Sequence, residues 1–179
     1  MKEAMQAAAG EISLAIGRGE TERSFDDLVA LYQQRVLRTA YRLLGRVEDA
    51  QDAAQEVFLR LLKNMHRIEG DPQAWLYRVT VNLCNDHHRR RPRVMDLVAD
   101  VADRAPNPEQ TLTIEDRKRM LMEGLQTLAA RERAAVVLRD IEGLSTREVA
   151  AILHVEEVTV RSQISTARLK LAKFVRRVR

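Results

Sequence analysis

The segment STREVAAILHVEEVTVRSQISTARLKL, residues 145–171, decides the fold. Ser145 followed three residues later by Glu148 forms a capping box, in which the hydroxyl and the carboxylate each satisfy a backbone N–H that a new helix leaves unpaired. A short helix through Leu153, a turn near His154 to Glu156 and a long final helix then read as a helix-turn-helix. Packing such a pair needs a small residue in the first helix and apolar residues at the turn, which Ala150, Val155 and Val160 supply. At about 100° per residue, Val160, Ile164, Ala167, Leu171 and Phe174 point inward. Thr159, Arg161, Ser162, Ser165 and Thr166 point outward, where hydroxyls and a guanidinium suit phosphates and base edges. Arg168, Lys170, Lys173, Arg176, Arg177 and Arg179 follow, with no acidic residue in residues 161–179, so this helix concentrates positive charge and points to DNA.

Upstream, the same periodicity gives more helices. Ser24 is an N-cap candidate before Phe25, Leu28, Tyr32, Val36, Ala40 and Leu44, one stripe that Gly45 ends. A second helix from about Val47 to Met65 carries Ala50, Ala54, Val57, Phe58, Leu61 and Met65 on one side. After a loop from His66 to Gly70, Asp71 and Pro72 open a third that continues to about Arg90. Residues 93–108 lose the period and carry Pro106 and Pro108, as a linker does. Beyond it, Ile114, Leu121, Leu125 and Leu128 suggest one helix, Arg131 to Asp140 a second, and Gly143 a break. The expected fold is therefore all-α. It comprises an arm (residues 1–23) that is weakly periodic, either a frayed helix or a disordered segment, a helical bundle (24–92), a linker (93–112) and a helix-turn-helix domain (113–179).

Composition agrees. The chain has 179 residues, and aromatics at 4% with 7 Gly and 4 Pro are too few for a turn-rich sandwich or barrel. Thirty Lys and Arg stand against 26 Asp and Glu, a mild excess that informs only through its placement. One cysteine, Cys84, excludes an intrachain disulfide framework and fits a reducing compartment. Residues 1–19 lack the long apolar run of a signal peptide or membrane span, so a cytoplasmic protein without membrane insertion is expected.

Two further surfaces stand out. On the third helix Ala74, Tyr77, Val81 and Cys84 share one side, Leu76, Val79 and Leu83 another, and Arg78, Asn82, Asn85 and Arg89 a polar stripe that Arg90, Arg91 and Arg93 extend. Arg and Asn read phosphates and bases, so a second nucleic-acid surface is expected. Trp75 and Tyr77 could stack on an unpaired base, although a Trp on a bundle helix is more often core. The second helix gathers Glu48, Gln51, Asp52, Gln55 and Glu56 around Leu59, an apolar residue pointing away from the core, as a protein contact would.

These residues carry a resemblance. DAQDAAQEVFLRLL (49–62), AWLYRVTVN (74–82) and the Arg-rich stretch after it resemble region 2 of a bacterial extracytoplasmic-function (ECF) sigma factor of the sigma-70 family. LAARER (128–133), LRDIEGLS (138–145), EVA (148–150) and TVRS (159–162) are similar to its region 4. The resemblance implies a subunit that binds core RNA polymerase through the Leu59 helix. It further implies capture of bases of the opened minus-ten strand by the helix of Arg78 and Asn82, and reading of the minus-35 duplex by region 4. Core polymerase and promoter DNA are then the partners, with an anti-sigma factor as the expected regulator. No catalytic residue, metal or cofactor is implied. His154 and Val158 stand where the family often has glycine, and Gln163 and Thr166 where it often has Arg, which puts the strength of minus-35 binding in question.

Two other readings compete: a helix-turn-helix regulator that never joins polymerase, and a metal-dependent enzyme using Cys84, His87 and His88, which share a helical face but lack a fourth ligand. Ser, His and Asp occur without a nucleophile motif such as GxSxG, so hydrolase chemistry has no support. Because the linker lacks periodicity, limited proteolysis of the free chain should cut first between Arg93 and Pro108. Cleavage within the helical segments while that stretch stays intact would contradict the division.

Overall fold

The computed structural model describes residues 24–69, 71–90 and 113–178, and among them the regular structure is helical, without strands. The expected arm and linker, Arg91, Arg93 and Arg179 lie outside the described residues. Helix α1 (Phe25–Leu44) begins at Ser24, whose Oγ accepts from the Asp27 N–H while the Asp27 carboxylate accepts from the Ser24 N–H. Gly45 ends it with φ +80°, a left-handed conformation that glycine adopts without a Cβ clash. Helix α2 (Val47–Asn64) follows; Met65, expected as its last apolar position, falls instead in a 3-10 turn, Met65–Arg67. Helix α3 (Gln73–Arg90) starts where Asp71 Oδ1 accepts the Gln73 N–H at 3.1 Å, and the same oxygen accepts the Tyr32 hydroxyl at 2.7 Å. One carboxylate thus starts α3 and ties it to α1.

The three helices enclose Phe25, Leu28, Tyr32, Val36, Val57, Phe58, Leu61 and Leu76. Each such side chain, fully buried, contributes roughly 1.5–3 kcal/mol of transfer free energy. Ala74 does not join them: it is exposed in the first turn of α3, two residues before the buried Leu76.

The second half contains α4 (Ile114–Gln126), α5 (Ala130–Val136), α6 (Thr146–Leu153) and α7 (Glu157–Val178). The helix expected from Ile114, Leu121 and Leu125 forms, and the one after it changes partway. Ile114 and Leu121 are 68% and 44% exposed, because α4 packs through its C-terminal end. There Gly124 lets Leu171 and Phe174 come within 3.1 and 3.2 Å of the place a Cβ would occupy. The expected helix Arg131 to Asp140 starts at Ala130 and, after Val136, widens into a π-helical turn, Val137–Ile141, with the Glu142 N–H donating to the Val137 carbonyl at 2.9 Å. A π turn shifts every following side chain off the ordinary wheel.

The capping box forms as read: the Ser145 N–H donates to Glu148 Oε2 at 2.7 Å and the Glu148 N–H to Ser145 Oγ at 3.2 Å. Between α6 and α7, His154 sits in the left-handed region at φ +53°, ψ +49°, and its N–H donates to the Ala150 carbonyl. Val160, Ile164 and Ala167 are buried and Leu171 and Phe174 half-buried, as the wheel placed them.

The two halves also share a core. Ala40, Leu43 and Leu44 of α1 and Tyr77, Val81 and Cys84 of α3 lie in one buried cluster with Leu125, Val137, Leu138, Val149 and Ile152. Division of the chain at a linker carries no information about this contact, which residues of the two halves themselves make.

The left-handed His154 costs its backbone about 1–2 kcal/mol that glycine would not incur, against about 0.5–1 kcal/mol of extra chain entropy for glycine. His154→Gly should therefore stabilise the protein by about 0.5–1 kcal/mol, raising the melting temperature by about 1–4 °C. A lower melting temperature would show that the imidazole makes a contact outweighing the strain.

Candidate nucleic-acid and protein-binding surfaces

The surfaces are positioned by two charged groups of the second half that reach into the first. Arg133 of α5 is buried, and its guanidinium donates to the Leu43 carbonyl at the C-terminus of α1, to Gln126 Oε1 at 2.6 Å, and to the Gln126 and Leu128 carbonyls at 3.1 and 3.0 Å. Burial lowers its pKa from the ordinary guanidinium value, yet arginine stays charged, and the negative end of the α1 dipole favours that charge. Gln126 Nε2 donates to the Arg42 carbonyl at 3.2 Å, so a second α1 carbonyl is satisfied from the same side. Glu142, placed by the π turn, accepts from Thr39 Oγ1 at 3.0 Å, Arg42 Nη1 at 2.5 Å and the Tyr77 hydroxyl at 2.9 Å. Burial and then the adjacent Glu142 charge raise the Tyr77 pKa, so its hydroxyl remains a donor.

On α2, Glu48, Gln51 and Asp52 are exposed, and Gln55, Glu56 and Leu59 are half-buried. Glu56 holds Arg60 Nε at 2.7 Å across one turn. Leu59 belongs to neither buried cluster, which is what its position on the wheel requires.

On α3, Asn82, Arg89 and Arg90 are exposed, and Arg78 and Asn85 half-buried. Arg89 rests on Asp86 one turn back. The Arg78 Nε is buried and finds no hydrogen-bond partner among the described residues. Of the two aromatics, Tyr77 is 3% exposed and held by Glu142, so it cannot stack on a base in this arrangement; Trp75 packs half-buried against the three-helix core. Cys84, His87 and His88 do not converge on a metal position among the described residues. Cys84 is buried with its thiol pushed up to about 12, chiefly by burial; His87 Nε2 faces Asp49 Oδ2 at 3.4 Å, and His88 Nε2 the Leu43 carbonyl at 3.1 Å.

On α7, Arg161, Ser162, Ser165 and Arg168 are exposed, and Thr159 and Thr166 half-buried. The positive charge is less free than the sequence suggests. Arg168 forms a bidentate pair with Asp140, Nε to Oδ2 at 2.9 Å and Nη2 to Oδ1 at 2.7 Å, which raises its pKa. Lys170 Nζ lies 2.8 Å from both Glu132 oxygens, and Arg161 pairs with Glu157 at 3.4 Å. The Arg168 and Lys170 pairs tether α7 to the π turn and to α5 and aim it, whereas the Arg161 pair lies within α7. Val158 is 59% exposed beside the turn, whereas the Gln163 Oε1 is buried without a hydrogen-bond partner among the described residues. A cleft of about 450 Å³ opens here, lined by Arg139, Thr146, Arg161, Ser165, Arg168 and Leu169. Arg139 and Thr146 are additions to the sequence-based set. Thr146 was legible as the first residue after the Ser145 cap; Arg139 was not, since it lies on the π turn. Three guanidiniums and two hydroxyls around one cleft suit a phosphate backbone.

These features define a helical protein with an acidic helix face, a polar stripe and a helix-turn-helix whose outward face is cationic. Family models agree with both halves: residues 28–94 match sigma-70 region 2 and residues 118–171 match sigma-70, region 4. The chain is 33% identical over 159 residues to the ECF RNA polymerase sigma factor SigM of Mycobacterium tuberculosis, covering 85% of this chain and 77% of that one. It is 42% identical over 93 residues, 49% of its length, to the ECF RNA polymerase sigma factor SigE of Mycolicibacterium smegmatis, but spans 36% of that relative. It spans about half the length of two further relatives. The sigma factor RpoE of Bartonella quintana, solved with the anti-sigma factor NepR, has the same fold at TM-score 0.67 and 22% identity, over 85% of this chain and 96% of that one. The chain belongs to the ECF sigma factors of the sigma-70 family. Among the described residues no helix is long and apolar enough to cross a membrane.

Glu132 links α5 to α7, and its pKa is lowered chiefly by the hydrogen bond from Lys170. A carboxylate with a depressed folded pKa stabilises the fold above its unfolded value of about 4.3 and loses that contribution as the pH falls toward its folded value. The melting-temperature gap between the parent protein and Glu132→Gln should therefore be constant near neutrality and close below about pH 4. A gap that persists in acid would mean that packing of the side chain, and not its charge, is what matters.

Proposed function

We infer that this chain is a promoter-specificity subunit of a bacterial RNA polymerase, acting in the cytoplasm. Its first half docks on core polymerase through Glu48, Gln51, Asp52, Gln55, Glu56 and Leu59 of α2. The stripe of Arg78, Asn82, Asn85, Arg89 and Arg90 on α3 then holds the opened minus-ten strand. Thr159, Arg161, Ser162, Ser165 and Arg168 of α7 meet the minus-35 duplex. The observation that carries this reading is the state of α2: an acidic face around a leucine that serves neither core, on a chain whose opposite half presents a cationic groove-sized helix. A regulator working on DNA alone has no use for that face.

The mechanism is binding energy spent on strand separation, with no catalytic group, metal or cofactor. Extruding a base costs a few kcal/mol, and preformed contacts to the freed strand offset it. Asn82 is exposed and offers both donor and acceptor, and the half-buried Arg78 next to it brings a charge that water solvates incompletely. On α7 the carboxylate pairs at Arg161 and Arg168 must yield to phosphate, so duplex affinity is weaker and its salt slope smaller than the count of cations suggests. Gln163 and Thr166 act in the same direction by supplying no charge. An anti-sigma factor, the kind of partner with which the Bartonella quintana protein was solved, would act by covering these faces.

Two substitutions test the reading. Leu59→Arg should abolish capture by core polymerase with an unchanged circular dichroism spectrum, and unchanged capture would remove the α2 assignment. Asn82→Ala should leave capture intact and slow opening of a duplex promoter by about one order of magnitude, consistent with about 1–3 kcal/mol per captured base. Opening at the parent rate by Asn82→Ala, Arg78→Ala and the double variant would mean that the stripe is merely solvated.

A further inference from the structure

The outward face of α7 is not uniformly polar. At about 100° per residue, Arg161, Ser162, Ser165 and Leu169 all fall within about 60° of Val158, and the five are exposed. The buried Val160, Ile164 and Ala167 lie on the opposite side of the helix. Val158 thus stands at the centre of the stripe assigned to the duplex, an isopropyl group beside a guanidinium and two hydroxyls.

Its surroundings decide which part of a duplex it can meet. Glu156 and Glu157 precede it at the start of α7, and Glu157 pairs with Arg161 at 3.4 Å. Carboxylates repel phosphates, so this tip does not fit against the DNA backbone. The guanidiniums of Arg139, Arg161 and Arg168 gather instead around the cleft farther along the helix. With phosphates seated at the cleft, the first turn of α7 is left over the base edges of the major groove, where helix-turn-helix proteins place it. Folding gives valine no role at this position. It is a poorer helix former than alanine, and it belongs to neither buried cluster.

We propose that Val158 is a specificity-determining residue that reads the C5-methyl group of a thymine in the upstream duplex. This rests on the assignment of α7 to that duplex in the sigma-factor reading above. Of the four bases, only thymine presents an apolar group in the major groove; the other features there are hydrogen-bond donors and acceptors. An isopropyl group set against those polar atoms strips water from them and offers nothing in return, whereas against a methyl both partners leave water favourably. Val158 therefore selects for thymine and against the other bases at one position. Ser162, one turn on, is free to bond a neighbouring edge. Leu169 shares the stripe but lies about 16 Å farther along, past the turn that enters the groove first. Glycine, common at this position in the family, has no side chain with which to make the contact, so the preference is one this chain adds. The contact also contributes affinity that the uncharged Gln163 and Thr166 do not, in a form that salt does not screen.

The test uses the full chain bound to core polymerase. Selection from a pool of duplexes randomised over both promoter elements gives the sequence to work on. Each thymine of the upstream element is then replaced in turn by uracil, which differs only in lacking the methyl. At one position the parent should lose about three- to fivefold in affinity, the effect of one buried methyl. Val158→Ala should bind thymine and uracil there equally, and Leu169→Ala should keep the parent's ratio. At the same position 5-methylcytosine should bind better than cytosine by a similar factor, in the parent and not in Val158→Ala. The ratio compares two duplexes on one protein, so a change in fold alone does not move it. It should also stay constant between about 50 and 200 mM salt while the absolute affinity falls steeply. An upstream element with no preferred A·T pair, or a parent indifferent to uracil at every upstream thymine, overturns the methyl contact. So does a thymine-to-uracil ratio that survives in Val158→Ala, or one that Leu169→Ala abolishes as fully. If the holoenzyme selects no upstream sequence at all, the assignment of α7 to the duplex has failed and the thymine contact falls with it. A selected upstream element that parent and Val158→Ala read alike leaves that assignment standing and removes only the contact.

Discussion

A helix that ends against another part of the chain must find donors for its last carbonyls, because water is no longer there to supply them. The C-terminus of α1 is in this position, and Arg133 answers it with a planar fork that satisfies Leu43 of one half and Gln126 and Leu128 of the other. The rest of the arrangement depends on this. Leu43, Leu44, Leu125 and Leu128 can be buried together only if the backbone between them is satisfied. Glu142 supplies the opposite charge to the same contact, with three donors of its own, so neither ion is buried without compensation.

The same economy of charge governs the outer surface. Glu48 and Asp52 of α2 are exposed, whereas on α7 Arg168 and Lys170 are each held by a carboxylate of a neighbouring element. Exposed pairs of this kind contribute little stability, usually under about 1 kcal/mol. Their effect is on direction: they hold long side chains in one geometry and keep the final helix from presenting an undifferentiated positive field. Recognition of DNA by this protein is then an exchange of one anion for another.

Much of the fold was legible because its signals are local. Ser24 and Ser145 cap helices with hydrogen bonds to residues three positions away, and the stripes on α1 and α7 repeat every three or four residues. Leu59 was legible as non-core for the same reason. What escaped were features set by contacts distant in sequence or by irregular pitch. Nothing near Arg133 announces that it will cap a helix 90 residues earlier. Tyr77 looked available for stacking until Glu142, 65 residues away, took its hydroxyl. Arg139 lies on a π turn and Glu142 directly after it, where a regular wheel gives the wrong face. The exposure of Ile114 and Leu121 was not legible, because periodicity reports an apolar stripe and not whether a neighbour is long enough to cover it.

Gly124 has a mechanical consequence for the groove-reading helix. Leu171 and Phe174 seat against its bare Cα, near the far end of α7 from the residues proposed to meet DNA. Phe174 and Thr159 are about 23 Å apart along the helix, so a 5° tilt forced at the seat swings the Thr159 end by about 2 Å. That is more than the difference between a made and a missing hydrogen bond. The helix behaves as a lever whose fulcrum is an absent side chain: a single methyl group there, far from any base, would change which edges of the groove α7 can touch.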